Sequence, residues 1–129
     1  MKKDKYFYRN ATYSKIGKTI YIIDIDSPET KREELDPWFS LVFQLADGQH
    51  SIGELYEFLS KGYHGAVPPT LERTIDSVLE RLIQMHLIVL SDVKVELPYY
   101  LALPIEMMDV ELAKELIAKE NSMQNQKLE

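Results

Sequence analysis

The residues with most chemical potential in this chain are three histidines, an Asp-x-Asp pair and four serines. His50 precedes a helical pattern, His64 lies in Gly62-Tyr63-His64-Gly65, and His86 closes a helical pattern. Their spacing matches no metal-ligand motif, and His86 is expected beside a helix C-terminal dipole. Asp24-x-Asp26 suggests a cation or nucleotide-sugar site only on paper. It ends a strand pattern just before Ser27-Pro28, where two outward carboxylates are expected. Ser14, Ser40, Ser51 and Ser60 all lack a nucleophile elbow. The five glycines stand singly, so no loop is built to cradle phosphate. Zero cysteines exclude disulfides, cysteine-ligated zinc, iron–sulfur clusters and thiol chemistry. The sequence therefore predicts no enzyme, no metal and no cofactor, and turns attention to binding.

Binding needs elements to position it. At 129 residues the chain is one domain plus an extension, with 28% charged and 45% hydrophobic residues. No apolar run approaches the ~20 residues that span a bilayer, and Met1-Lys2-Lys3-Asp4-Lys5-Tyr6 is no signal-peptide core. A cytoplasmic protein without membrane contact is expected. Residues 5–13 are aromatic and β-prone, Ile16-Gly17-Lys18 reads as a turn, and Thr19 to Ile25 reads as a strand, together a hairpin. Ile20 and Ile22 fall on one face of that strand, Tyr21, Ile23 and Ile25 on the other, so both faces need cover. A short third strand is expected over residues 31–36.

Asp36 before Pro37 predicts a helix start, with Trp38, Leu41, Val42 and Leu45 as its apolar stripe. Asp47-Gly48 ends that helix with a residue free to take positive φ. Ser51-Ile52-Gly53-Glu54 is a capping box opening a second helix with Ile52, Leu55, Tyr56 and Leu59 inward. Thr70 is placed to cap a third, whose apolar positions are Leu71, Ile75, Val78, Leu79, Leu82 and Ile83. Leu87 to Leu90 and Val93 to Val95 read as two short strands around Ser91-Asp92, a candidate wing. Pro98 to Pro104 is expected to be extended. Asp109 caps a further helix with Val110, Ala113, Leu116 and Ile117 on one stripe, and the chain from Asn121 on is expected to be disordered.

The ordered set of hairpin, Leu35-Asp36, helix, Leu45-Ala46-Asp47-Gly48, capped helix, long third helix and Leu87-Ile88 resembles the PqqD-like family, the recognition elements for ribosomally made, modified peptides. The resemblance covers roughly residues 6–92. It departs at Trp38 and Phe39, where small residues are commoner, and in the extension that follows. It implies an α+β, winged helix-turn-helix-like fold: a three-stranded antiparallel sheet packed on three helices. On that basis residues 1–92 form a peptide-binding domain, and residues 93–129 an extension of one helix and a disordered tail. In the resembled family the leader of a precursor peptide adds as a strand to the third strand and lies against the third helix. Transferred by position, the edge is Lys31, Arg32, Glu33, Glu34 and Leu35, and the groove wall is Leu71, Thr74, Ile75, Val78 and Arg81. The same resemblance implies a modifying enzyme as second partner: a radical S-adenosylmethionine enzyme, a cyclase or a leader peptidase.

The competing reading is a winged-helix module for protein contact or transcriptional regulation. The net charge of −6 is split, since Lys2, Lys3, Lys5, Arg9, Lys15 and Lys18 face only Asp4 within residues 1–18, leaving an acidic remainder. The third helix carries Arg73 and Arg81 against Glu72, Asp76 and Glu80, a balance that repels a duplex. Nucleic acid could then be met only through the basic N-terminal segment, whose other readings are a solubilising arm or a contact for an acidic partner. Two alternatives stand for the extension: it covers the second face of the hairpin, or Leu101-Ala102-Leu103 sits as a strand in the groove of its own or a neighbouring chain, giving a homodimer.

Overall fold

The computed structural model describes residues 1–30 and 32–128. It is α+β, with two small antiparallel sheets and five α-helices among the described residues. Strands β1 (Tyr6–Arg9), β2 (Tyr13–Ile16), β3 (Thr19–Ile23) and β4 (Arg32–Glu34) precede helix α1 (Pro37–Leu45). Strand β5 (Asp47–Ser51), helices α2 (Ile52–Lys61) and α3 (Leu71–Gln84) and strand β6 (Ile88–Ser91) follow. The extension holds α4 (Tyr99–Ala102), a 3-10 turn (Ile105–Met107) and α5 (Val110–Leu128).

The single sheet expected from the sequence is divided in two. One sheet runs β2-β3-β4 and the other β5-β1-β6. The hairpin is confined to β2 and β3, with Ile16 opposite Thr19 and Gly17 at φ +62° in the turn. Tyr6 to Arg9 leave it and pair with Ser91 to Ile88. The candidate wing therefore does not form as a hairpin: β6 takes β1 as its partner, and Val95 donates its amide to the Gly48 carbonyl at 2.8 Å. Gly48 sits at φ +78°, and a Cβ there would lie 2.3 Å from the Val95 oxygen, so both conformation and space demand glycine.

Phe7, Phe43, Ile20, Ile52, Ile75, Leu79, Leu82 and Ile88 are fully buried at the centre. The second and third helices bury the residues their spacing predicts, except that Leu59 and Ile83 are only partly buried. Helix α1 does not follow its predicted stripe. It buries Ser40, Val42 and Phe43, while Leu41 is 38% exposed and Trp38 is only partly buried against the core. Nearly every position of α1 is apolar, so its spacing alone cannot select a face.

Helix ends are met from several directions. The α2 capping box is present, with Glu54 N to Ser51 Oγ at 3.2 Å and Ser51 N to Glu54 Oε1 at 3.0 Å. The next two free amides of α2, on Ile52 and Gly53, donate to the carbonyls of Lys5 and Lys3, each at 2.9 Å. The basic N-terminal segment is thus sewn in, its ammonium groups meeting Glu72 (Lys3, 3.4 Å) and Asp92 (Lys5). Asp36 and Thr70 flank α1 and α3 without a side-chain cap bond. His86 closes α3 at φ +61°, its amide reaching Ile83 O at 3.0 Å and that of Leu87 reaching Leu82 O at 2.9 Å, a paired closure of the last turn.

The extension differs from expectation as well. Tyr99 to Ala102 are helical, not extended, and α5 continues beyond Asn121 to Leu128. Asp109 does cap α5, through Leu112 N to Asp109 Oδ1 at 3.2 Å, and Ala113 is fully buried. The Tyr100 hydroxyl bonds Glu120 across α4 and α5, and burial together with that carboxylate pushes its pKa up to about 12. A buried side chain that ties the extension to the body is Arg9, only 7% exposed. It donates to Leu101 O (2.8 Å), Ala102 O (2.9 Å), Gln44 O (3.0 Å) and Ala46 O (3.3 Å). Replacing Arg9 by Ala should cost about 3 kcal/mol or more in urea unfolding. Arg9→Lys should not restore it, because a point charge cannot span four carbonyls.

Candidate functional site

Strand β4 is the exposed edge of its sheet, and all three of its residues are exposed. It pairs only with β3, Arg32 opposite Ile23, Glu33 opposite Ile22 and Glu34 opposite Tyr21. One residue further, Leu35 N donates to Ile20 O at 2.9 Å. The reciprocal bond is replaced by a side chain: Ile20 N donates to Ser40 Oγ (3.0 Å), and Ser40 Oγ donates to Leu35 O (3.1 Å). A buried hydroxyl from α1 is therefore inserted into the ladder where the chain turns from strand to helix. Antiparallel alternation then fixes the rest of β4. Glu33 turns its amide and carbonyl toward Ile22, whereas Arg32 and Glu34 turn theirs outward. No backbone hydrogen bond among the described residues reaches those outward groups.

The opposite edge, β2, is occupied. Glu106 in the 3-10 turn accepts from Lys15 N (2.9 Å) and from Ser14 Oγ (2.5 Å). Burial would raise the Glu106 carboxyl, but the Ser14 hydroxyl and Lys15 amide outweigh it and hold its pKa below the ordinary value. Through Ser14, which shares a face with Tyr21, the extension reaches the second face of the hairpin at β2. The strand form of Leu101 and Ala102 does not exist, since both are helical and their carbonyls are taken by Arg9.

The residues singled out from the sequence separate into three groups, and Lys31 lies outside the described residues. Arg32, Glu33 and Glu34 form the open edge. Leu35, Leu71, Ile75 and Val78 are core, at 3%, 4%, 0% and 5% exposure, and of the four only Leu71 borders a surface cleft, one it shares with Lys3, Tyr56 and Pro68 and with no residue of β4. Apolar residues at helical spacing fill a core more readily than they wait for a ligand. Thr74 is half-buried and Arg81 exposed, and helical spacing puts them on one flank of α3 beside Val78. The other flank is engaged: Asp76 accepts from the Tyr56 hydroxyl, whose pKa burial and that carboxylate drive upward, and Glu72 pairs with Lys3.

The histidines are dispersed. His50 Nδ1 lies 3.0 Å from the Asp47 carboxylate on an exposed strand, His64 follows α2 at φ +49°, and His86 ends α3. Asp24 accepts the Asp26 amide at 2.9 Å, making the Asp-x-Asp pair a local turn. No cluster of three or more potential metal ligands exists among the described residues. No helix among them is long and apolar enough to cross a membrane. A cleft of about 220 Å³ lies elsewhere, between the end of α1, β5 and α2, floored by Phe7, Leu45, Leu55 and Phe58. The chain matches no family model, no curated protein and no solved structure.

Sequence reasoning missed Ser40 and Glu106, the two residues that define the sheet's edges. A lone serine within Trp-Phe-Ser-Leu-Val-Phe was a legible signal of a buried hydroxyl; an acid in a loop carried none. Ser40→Ala should leave the Ile20 amide buried without a partner and cost about 1–3 kcal/mol, with hydrogen exchange quickened at Ile20 and Leu35. For Glu106 the sign follows from its lowered pKa. Its contribution is complete above the unfolded value near ~4.3 and is lost as pH falls through the lower folded one. The Lys15 amide resonance should report that acid transition, and Glu106→Gln should abolish the dependence.

Proposed function

We propose that this protein is a non-catalytic adaptor that captures an extended peptide by strand addition to the outer edge of β4. The observation that carries the reading is the outward amides and carbonyls of Arg32 and Glu34, which no backbone hydrogen bond among the described residues reaches, on a sheet whose other edge meets Glu106. Strand addition draws affinity from such main-chain groups and specificity from neighbouring side chains. Here those neighbours are Arg32 and Glu34 on the edge, with Thr74 and Arg81 of α3 proposed as the opposite wall. The charged edge discourages indiscriminate pairing while leaving the backbone available.

Following the resemblance to the PqqD-like family, the peptide is the leader of a ribosomally synthesised precursor. The second partner is its modifying enzyme: a radical S-adenosylmethionine enzyme, a cyclase or a leader peptidase. Arg32 and Arg81 favour acidic residues in that leader. The winged-helix arrangement of α1 to α3 belongs to the same proposal. Duplex DNA is the less supported partner. Of the cations that would have to serve it, Lys3 and Lys5 meet Glu72 and Asp92, and Arg9 is buried.

An amide NMR titration with a candidate leader should move Arg32 to Leu35 together with Thr74 and Arg81, with only a shallow salt dependence. Glu34→Pro removes an outward donor and leaves the Glu33 ladder bonds in place, so it should weaken binding several-fold, on the scale of one ~1 kcal/mol hydrogen bond. Saturable shifts confined to residues 1–18 on adding duplex DNA, with none at β4 for several leaders, would replace this reading with the winged-helix one.

A further inference from the structure

Two features of the surface that strand addition does not use are complementary to each other. The first is the tip of the β2–β3 hairpin. Ile16 is 54% exposed there, an apolar residue at a turn, with Lys15 and Lys18 on either side of it. The second is the cleft at the end of α1. Its floor is apolar and includes Phe58, 59% exposed, and its rim carries the carboxylates of Asp47, beside His50 Nδ1 at 3.0 Å, and of Glu54, which accepts the Ser51 amide. The Ser51 backbone amide leads the causes that keep the Glu54 carboxyl below its ordinary pKa. An exposed aliphatic residue between two ammonium groups is opposite in sign to an apolar cleft rimmed by two carboxylates.

The two features are neighbours as well. Gln44 lines the cleft, and it also lines the groove between the hairpin tip and the outer face of α1, with Pro37 and Leu41. A two-fold axis beside Gln44 would bring the tip of each copy to the cleft of the other. Such an interface is self-complementary, closes on itself and leaves no free half to propagate. Leu41, 38% exposed in defiance of its apolar type, would lie within it.

We propose that the protein self-associates as a two-fold dimer in which Ile16 of each copy enters the Phe58 cleft of the other, guided by Lys15 and Lys18 against Asp47 and Glu54. The open edge of β4 takes no part, so the dimer would carry two peptide-binding edges. Its occupant is a second copy of this chain, because both halves of the complement are on this one surface.

Sedimentation velocity over a concentration series tests it, with circular dichroism confirming that each variant stays folded. Wild type should show a reversible monomer–dimer equilibrium, and Ile16→Asp or Phe58→Asp should each weaken it roughly thirtyfold or more. Mixing the two variants should recover part of the association, since one intact tip then meets one intact cleft. A wild type that stays monomeric at the highest attainable concentration overturns the proposal. So does a dimer indifferent to both substitutions, or a mixture no better than either variant alone; a basic, apolar-tipped partner protein would then be the better occupant.

Discussion

The guanidinium of Arg9 is buried and meets four backbone carbonyl oxygens. It meets the ends of two helices at once, Gln44 and Ala46 at the close of α1 and Leu101 and Ala102 at the close of α4. Helix C-termini present both orphan carbonyls and the negative end of a dipole. A buried cation can therefore be compensated there without any carboxylate partner. The face of Tyr13, 5.4 Å away, adds a further favourable contact. Only a planar fork with five donors serves four acceptors in such geometry. Because Arg9 ends β1, the same residue links the β5-β1-β6 sheet, the first helix and the extension.

Much of this was readable from the chain, and the failures have physical causes. Helix α2 was legible because its cap and apolar spacing agree, and α3 because its apolar spacing is regular. Helix α1 was legible in extent but not in orientation, since Trp38, Phe39, Leu41, Val42, Phe43 and Leu45 satisfy almost any face. The hairpin was seen, but its first strand was drawn too long: nothing local marks that Asn10 to Thr12 carry the chain from one sheet to the other. Pairing of β1 with β6 joins residues far apart in sequence, which no local pattern encodes. Arg9 alternates with buried Phe7 and so falls on an inward position, yet its charge argues for the surface. Period and residue type disagreed, and period was right.

On the candidate site, the short edge strand was placed correctly by its neighbours rather than by its own residues, because Arg32-Glu33-Glu34 has little β propensity. Of the α3 positions, Leu71, Ile75 and Val78 lie on its buried face, and only Thr74 and Arg81 reach its surface. What decides whether β4 is available is the pair of non-local contacts that sequence cannot supply, a serine hydroxyl in the ladder and a glutamate on the opposite edge. Together they make the sheet asymmetric, one edge closed and one open.

The bonds of Arg9 also order events in time. Its contacts with Gln44 and Ala46 span 35 and 37 residues of chain, those with Leu101 and Ala102 span 92 and 93. Closing the longer loop is entropically the later step. During synthesis, when the N-terminal part emerges first, the guanidinium can engage the end of α1 while α4 is still unmade. It then holds two donors, Nε and Nη2, in waiting for carbonyls that have not yet left the ribosome. Docking of α4 is thus the filling of a half-satisfied fork, and the body made first is a receptor for the chain that follows it.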